Sequence, residues 1–144
     1  MTSPYSIREL HSFVEMKENF ELLLQLNSEI TKDRYEEMLR EMIAHGYFQV
    51  GIYDAEKCIG LSGIWINTKI YSGKYIELDN VVVDKDYRSK GIGKILCDWA
   101  IQKAKDEGCN TAMLDAYVEN RDAHRFYYRE GFHIRGFHFL KRII

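Results

Sequence analysis

A short glycine-containing segment, Arg88–Lys94, combines flexible backbone with positive charge in a way that suits phosphate binding. It lies between a predicted strand and a predicted helix, and the first turn of a helix offers unpaired N–H groups and the positive end of the helix dipole. Its two glycines would let a phosphate approach this backbone closely, and Arg88, Lys90 and Lys94 would add charge. The segment therefore predicts a pyrophosphate site, although a tight strand–helix turn that needs glycine only for its geometry explains the pattern equally well.

Two familiar phosphate-binding motifs are excluded by the residues around this segment. The Walker A motif, G-x-x-x-x-G-K-[ST], requires Ser or Thr after its lysine, but Ile95 follows Lys94. The dinucleotide fingerprint, G-x-G-x-x-G, requires a third glycine where Leu96 stands. A nucleotide fold of either kind is therefore not predicted.

Two segments in a fixed order resemble the motifs of the GNAT family of N-acetyltransferases. Arg88–Gly93 matches the family's acetyl-CoA loop, [RQ]-x-x-G-x-[GA], at every fixed position, and Asn120–Phe132 matches its second motif, N-x-x-A-x-x-[FL]-Y-x-x-x-G-F. The resemblance implies an acyltransferase that moves an acetyl group from acetyl-CoA directly to a primary amine of an unidentified acceptor. The alternative is a non-catalytic acyl-CoA-binding or sensing module on the same fold.

The resemblance implies a cofactor site built largely from backbone. In this family the CoA pyrophosphate lies on the amides of the loop, and the pantetheine arm pairs with the preceding strand as if extending a sheet. An amide near Val81 would stabilise the developing oxyanion, and Asn120 would bind the arm while also capping the following helix. Carried over to this sequence, the cofactor-binding positions are Val81, Val82, Val83, Arg88, Ser89, Lys90, Gly91, Ile92, Gly93, Lys94 and Asn120.

The same resemblance implies two catalytic residues. Tyr127 stands at the position of the acid that protonates the departing thiolate, although helical periodicity alone would pack its ring in the core beside Phe126. Glu77 lies on the strand before the loop, where some family members place the base that deprotonates the amine, directly or through water. Asp79 shares its strand face and is the alternative base. A solvated strand face paired with Lys74 explains both carboxylates without catalysis.

Acceptor recognition is predicted on neighbouring strands. The candidate substrate-binding residues are Asp79, Tyr75, Trp65 and Tyr117. The two aromatic residues Trp65 and Tyr117 either line an acceptor cleft or simply pack the sheet. An acidic stretch between residues 29 and 41 favours a cationic acceptor, although the solvated face of an amphipathic helix explains these charges more simply.

The elements that hold these residues follow from periodicity and turn residues. Strands are predicted near residues 5–10, 47–53, 58–66, 75–83 and 111–118, with a final pair at 132–134 and 137–143. Helices are predicted near residues 12–27, 31–45, 91–107 and 120–130. This order and the resemblance predict a single domain over residues 1–144 with a mixed α/β (α+β) GNAT fold. Its central sheet is mostly antiparallel, its fourth and fifth strands are parallel and splayed, and about four helices flank it.

Composition limits the remaining function classes. The chain has 144 residues, of which 46% are hydrophobic and 29% charged, and a formal net charge of -2 gives no global electrostatic case for nucleic-acid or membrane binding. The scattered Cys58, Cys97 and Cys109 form no metal-finger pattern, so we expect no metal, reduced thiols and a cytoplasmic protein. The apolar stretch 137–144, together with family habit, predicts a homodimer.

Overall fold

The computed structural model describes residues 3–144 and contains a single five-stranded sheet. Its strands are β1 (Ser6–Leu10), β2 (Phe48–Asp54), β3 (Lys57–Lys69), β4 (Gly73–Val83) and β5 (Thr111–Leu114), in that spatial order. The first four are antiparallel neighbours, and β4 and β5 are parallel. A parallel pair requires a crossover, which the helix between these two strands provides. The predicted mixed α/β fold is confirmed.

Five α-helices accompany the sheet, together with a short 3-10 turn at Lys85–Tyr87. They are α1 (Phe13–Lys17), α2 (Phe20–Leu24), α3 (Lys32–Ala44), α4 (Ile92–Asp106) and α5 (Arg121–Arg129). The prediction of one helix over residues 12–27 is wrong, because the helix is interrupted at Asn19 and two short helices form instead. The Asn19 side chain is buried and donates from Nδ2 to Gln49 Oε1 over 2.9 Å, so the backbone turns to aim an amide at the sheet. Apolar periodicity carries no information about such a buried polar contact.

The helices cover opposite faces of the sheet. On one face, Tyr35 of α3 accepts a hydrogen bond from Gln49 Nε2 of β2 over 3.0 Å. On the other face, Ile92 of α4 packs so closely on Gly60 of β3 that a Cβ at this glycine would lie 2.5 Å from the Ile92 side chain. Leu96, farther along α4, is fully buried. The sheet thus separates an α1–α3 side from an α4–α5 side.

The predicted final strand pair is not formed. Residues 132–144 contain neither strand nor helix, and Phe139 is 94% exposed and Ile144 fully exposed. Apolar residues that alternate along a segment indicate that it would fit a half-buried sheet. The segment becomes a strand only where the fold provides a neighbouring strand with which it can pair. Here β5 ends at Leu114, and the segment touches the end of that strand through His138, whose Nδ1 lies 3.1 Å from Asp115 Oδ2.

Candidate active site

A β-bulge interrupts β4 after Asp79. A single residue of β3, Ser62, lies opposite two residues of β4, Asn80 and Val81. Asn80 adopts a left-handed conformation with φ of 54°, which asparagine tolerates better than most residues. A bulge bends its strand and increases the local twist, and after it β4 stays paired with β3 through Val82 and Val83.

β4 and β5 pair over only four residues each. Tyr75–Leu78 lies beside Thr111–Leu114, and β5 then ends, although the sequence predicted it to continue to residue 118. Within the described part of the chain, residues 79–83 of β4 therefore have no β5 neighbour. Backbone N–H and C=O groups on that side are available to an extended ligand, which is the arrangement required for the predicted pantetheine arm.

Buried Asp84 fixes the chain where it leaves β4. Its carboxylate accepts a hydrogen bond from the Asp86 N–H over 2.9 Å and lies 3.7 Å from Lys57 Nζ. The backbone hydrogen bond, aided by the Lys57 charge, lowers the pKa of Asp84 below its usual value. The carboxylate thus anchors the 3-10 turn that precedes the glycine loop.

The glycine loop presents free backbone at the start of α4. Ser89 and Gly91 are both left-handed, with φ of 63° and 80°, and α4 begins at Ile92. A left-handed residue followed by helical residues turns successive N–H groups toward one point, which makes a concave anion site. No side chain among residues 3–144 caps this helix N-terminus. The loop therefore has the donors that a pyrophosphate requires.

Two positions of the loop have packing or pairing roles that the sequence did not reveal. A Cβ at Gly93 would lie 3.1 Å from the Phe126 ring, so this glycine lets α5 pack against α4. The Lys94 ammonium lies 3.4 Å from Asp98 Oδ2 and 3.6 Å from Glu130 Oε1. Its charge is thus shared with two carboxylates, which raise the pKa of Lys94.

Tyr127 lies on the α4 side of the sheet with a largely buried ring. The ring packs edge-on against Phe126 and Phe132, at centroid distances of 5.3 and 5.9 Å. Burial, with a smaller effect of the Cys97 thiol, raises the pKa of Tyr127 to about 12. No hydrogen-bond partner of its hydroxyl occurs within residues 3–144. At neutral pH the hydroxyl is therefore protonated and available as a donor.

Asn120 caps α5, as the sequence predicted. Its Oδ1 accepts a hydrogen bond from the Ala123 N–H over 3.1 Å. This satisfies one of the unpaired donors of the first helical turn. The bond uses the amide oxygen, so the amide nitrogen is left for another contact.

Glu77 lies on the α3 side of the sheet. The register of β3 and β4 places Glu77 opposite Trp65, and side chains directly opposite each other project from the same face. Its carboxyl is half-buried, and its pKa is raised first by burial and then by the charges of Asp115 and Asp79. Lys69 and His138 partly oppose this shift. A raised pKa makes the carboxylate a stronger base than an exposed glutamate.

Asp79 is held by a neighbouring aromatic residue. The indole N–H of Trp65 donates to Asp79 Oδ2 over 3.1 Å. The Trp65 ring also packs on Tyr47 at a centroid distance of 5.1 Å, and the Tyr47 hydroxyl accepts from Gln49 Nε2 over 3.1 Å. This series of contacts connects the carboxylate to the buried polar residues beneath α3.

The other two predicted acceptor residues differ sharply in exposure. Tyr75 is on the same strand face as Glu77, but it is only 4% exposed and Lys69 Nζ lies 5.4 Å from its ring centroid. Tyr117 is 80% exposed in the loop after β5, where its carbonyl oxygen lies 2.9 Å from His124 Nε2.

A cleft of about 350 Å³ opens between α3 and β3 on the Glu77 side of the sheet. Its lining residues are Glu41, Met42, His45, Trp65 and Asn67. Sequence reasoning identified Trp65 and placed Glu41 in an acidic stretch, but it did not identify Met42, His45 or Asn67. The spacing of Glu41 and His45, four residues apart on one helix face, was the available signal.

Within residues 3–144, no group of three or more His, Cys, Asp or Glu side chains is placed to hold a metal ion. Over the same range, no helix has the length and apolar character that crossing a bilayer requires.

A bulged β4, a short parallel β5 and an uncapped helix N-terminus after a glycine loop agree with the acyl-CoA-dependent transferase fold that the sequence resemblance implies. The chain belongs to the acetyltransferase (GNAT) family, because the model of that family matches residues 13–132. It is an acetyl-CoA-dependent N-acetyltransferase that transfers an acetyl group to an amine of an unidentified acceptor.

Named relatives agree with this class. The chain is 27% identical over 139 residues to an uncharacterized N-acetyltransferase, YhdJ, of Bacillus subtilis, covering 95% of this chain and 98% of the relative. It is 28% identical over 129 residues to glucosamine 6-phosphate N-acetyltransferase of Arabidopsis thaliana, covering 84% and 87%. A crystal structure of an Arabidopsis thaliana glucosamine-6-phosphate N-acetyltransferase superimposes with a TM-score of 0.73 at 26% identity, covering 97% of this chain and 99% of that one.

Proposed function

We propose that this enzyme acetylates a cationic primary amine at the opening between β4 and β5, with Glu77 as the base and Tyr127 as the acid. The observation that carries the proposal is the half-buried Glu77, whose pKa is raised, next to the part of β4 that lacks a β5 neighbour. Glu77 faces the α3 side and Tyr127 the α4 side of the sheet. An acetyl group held in the opening would be reached by one residue from each side.

The backbone fits acetyl-CoA, which supplies an activated acetyl thioester when bound. The N–H and C=O groups of Val81 and Val83 would pair with the pantetheine arm, while buried Val82 anchors the strand. An amide near Val81 would stabilise the negative charge that develops on the carbonyl oxygen. The loop Arg88–Lys94 would hold the pyrophosphate, and the Asn120 amide nitrogen would donate to the arm.

The acceptor must first lose a proton, because an alkyl ammonium ion with a pKa of about 10 is not a nucleophile. Glu77 would accept that proton, directly or through a water molecule. Asp79 has one oxygen bound to Trp65, so it is better suited to hold the cationic amine than to act as the base. The negative charge of both carboxylates would favour a cationic acceptor.

Tyr127 would assist the departing sulfur. Its pKa of about 12 keeps the hydroxyl protonated at neutral pH. A thiol has a pKa of about 8.5, so complete proton transfer to the thiolate is uphill and much of the benefit would come from hydrogen-bond donation. This predicts an effect toward the lower end of the range for general acids.

We also propose that residues 1–144 form a single domain that acts as a homodimer in the cytoplasm. Exposed apolar residues in the C-terminal segment, which include Phe137, Phe139, Leu140 and Ile143, support association of two copies. The three cysteines are unpaired, which is usual in a reducing compartment.

Thiol release from acetyl-CoA in the presence of a panel of amines tests the proposed reaction. The panel should contain simple alkylamines, diamines, aminoglycosides, amino acids and lysine peptides, with a control that lacks an acceptor. We expect amine-dependent thiol release and an N-acetylated product by mass spectrometry. Binding of acetyl-CoA with no transfer to any amine would instead support the sensing module and contradict the proposal.

A further inference from the structure

The cleft between α3 and β3 has side chains suited to a second part of the acceptor, beyond the reacting amine. We infer that the acceptor carries a second cationic amino group, which binds Glu41 in this cleft while the reacting amine lies at Asp79 and Glu77. The acceptor class is then a diamine or polyamine without phosphate. This inference rests on the proposed function of Glu77 and Asp79.

One indole borders both places where a cation would bind. Trp65 donates to Asp79 over 3.1 Å, and its ring also lines the cleft. Its packing on Tyr47, whose hydroxyl accepts from Gln49, holds the ring in one orientation. The face of an indole attracts cations, so a hydrocarbon chain with an amine at each end could lie across it with both ends bound.

Glu41 is a carboxylate without a cation partner in the structure. Among residues 3–144 it forms no ion pair, whereas Glu37, one turn earlier on α3, lies 3.2 Å from Arg34. The adjacent Arg40 places its guanidinium 4.2 Å from the centroid of the Phe13 ring, away from an ion pair with Glu41. Glu41 is therefore free to pair with a ligand cation.

The lining of the cleft argues against a phosphate at this position. It contains Glu41 and the neutral Met42, Trp65 and Asn67, and His45 is its only basic side chain; it holds no Lys or Arg. A phosphate here would lie close to the Glu41 carboxylate. The Arabidopsis relative is named for glucosamine 6-phosphate, so the inference separates the acceptor of this chain from that of a relative with the same fold.

Paired acceptors test this inference. Values of kcat/KM should be measured for α,ω-diamines from 1,3-diaminopropane to 1,8-diaminooctane and for monoamines of the same carbon number. In the wild type, the best diamine should exceed its matched monoamine by about fivefold, the upper end for one exposed ion pair. Glu41→Gln should bring this ratio close to one through a higher KM. Glu37→Gln removes the same charge from the same helix outside the cleft and should keep the wild-type ratio.

A charge reversal adds an independent outcome. Glu41→Lys should lower kcat/KM for the diamines and raise it for glucosamine 6-phosphate. If monoamines are acetylated but no diamine is preferred, or if Glu41→Gln keeps the preference, the inference is overturned while the proposed function stands. If no amine is acetylated, the proposed function fails and the inference fails with it.

Discussion

Trp65 and Asp79 are joined by a hydrogen bond of 3.1 Å between the indole N–H and Oδ2, although Trp65 lies in register with Glu77 on the neighbouring strand. The contact is therefore diagonal across β3 and β4. It occupies one oxygen of Asp79, and no comparable donor reaches Glu77 within residues 3–144. Two carboxylates on the same strand face are thus distinguished by a single neighbouring side chain.

Removing the indole N–H should weaken acceptor binding more than turnover. Trp65→Phe keeps an aromatic ring on Tyr47 but leaves Asp79 without its donor. A hydrogen bond to a charged group contributes more than 1 kcal/mol when buried, and at this half-exposed site about 1 kcal/mol, or roughly fivefold in the acceptor KM, is expected. Steady-state kinetics would show this rise with kcat changed less than about twofold.

A double-mutant cycle with Asp79→Asn checks that the effect passes through this bond. Asp79→Asn should raise KM by itself, and Trp65→Phe should add little to it, because the indole N–H affects the acceptor only through the Asp79 carboxylate. Fully additive effects would contradict the assignment of Trp65 as the residue that positions Asp79.

Glu77→Gln should lower turnover by about 100-fold or more near neutral pH, the range for a general base. The pKa of Glu77 is raised, mainly by burial, so wild-type kcat/KM should fall as pH decreases through this raised pKa and the carboxylate becomes protonated. The defect of the variant should shrink as pH rises, because free amine then becomes available without a base. A pH–rate profile of both proteins measures this, and parallel profiles would oppose the role of Glu77.

Glu77→Gln should lower activity, but we expect it to leave the stability of the fold unchanged or slightly increased. Because the folded-state pKa of Glu77 is raised, folding disfavours its ionised form, and the fold loses stability as pH rises from the unfolded pKa through the folded one. Glu77→Gln should therefore melt at an equal or slightly higher temperature at pH 7, with no advantage below about pH 4. The effect is small because the carboxyl is half-exposed.

Much of the fold was accessible from local sequence signals. At the start of α1 the Ser12 side chain accepts a hydrogen bond from the Glu15 N–H, and the left-handed Gly46 follows the end of α3; both signals depend on residues close in the chain. The break at Asn19 and the unpaired C-terminal segment were missed for the same reason: both depend on whether a distant partner is present. Asn19 has one in Gln49, and residues 132–144 lack a strand neighbour.

The residues of the candidate site also fall into those that local sequence motifs indicate and those that depend on distant contacts. The loop, Asn120 and Tyr127 belong to contiguous motifs, so the sequence alone was enough to propose them as site residues. The bulge at Asn80 and the packing of Gly93 on Phe126 depend on contacts between separate elements. The cleft residues His45 and Asn67 come from a helix and a strand whose docking is fixed by buried side chains far from either motif.

Tyr127→Phe should lower kcat by about 100-fold while acetyl-CoA binding is retained. The substitution keeps the ring that packs on Phe126 and Phe132 and removes only the hydroxyl. Calorimetric titration with acetyl-CoA and single-turnover kinetics would separate the two properties. Near-wild-type turnover would leave Tyr127 as a packing residue and not an acid.

Ser89→Glu should abolish stabilisation by acetyl-CoA. Ser89 is already left-handed and exposed, so the new side chain fits the backbone about as well as serine does while its charge repels the pyrophosphate. A ligand at 100 times its dissociation constant adds about 2.7 kcal/mol to folding stability, and this increment should be lost. Ser28→Glu, in an exposed turn between α2 and α3, is the control and should keep the ligand-induced shift in melting temperature. An unchanged shift in Ser89→Glu would contradict the loop assignment.

Phe139→Glu should convert a homodimer to a monomer, since it places a charge in the exposed apolar segment. Light scattering at micromolar concentration measures the mass of both proteins. Ile70→Glu, at a fully exposed position in the turn between β3 and β4, is the matched control and should leave the dimer intact. A monomeric wild type would refute the proposed dimer directly.

The bulge in β4 has a consequence for how this protein can change over time. On the proposed function, the acetyl donor is held mainly by main-chain groups of β4 and the glycine loop, which replacements on α3 and β3 leave in place. The acceptor would instead meet the side chains of Glu41, Trp65 and Asp79. Mutations on α3 and β3 could then exchange one acceptor for another without disturbing the donor, so this fold can diversify its substrates by single replacements. The TM-score of 0.73 to the Arabidopsis thaliana structure, at 26% identity, agrees with a backbone that stays similar while most side chains differ.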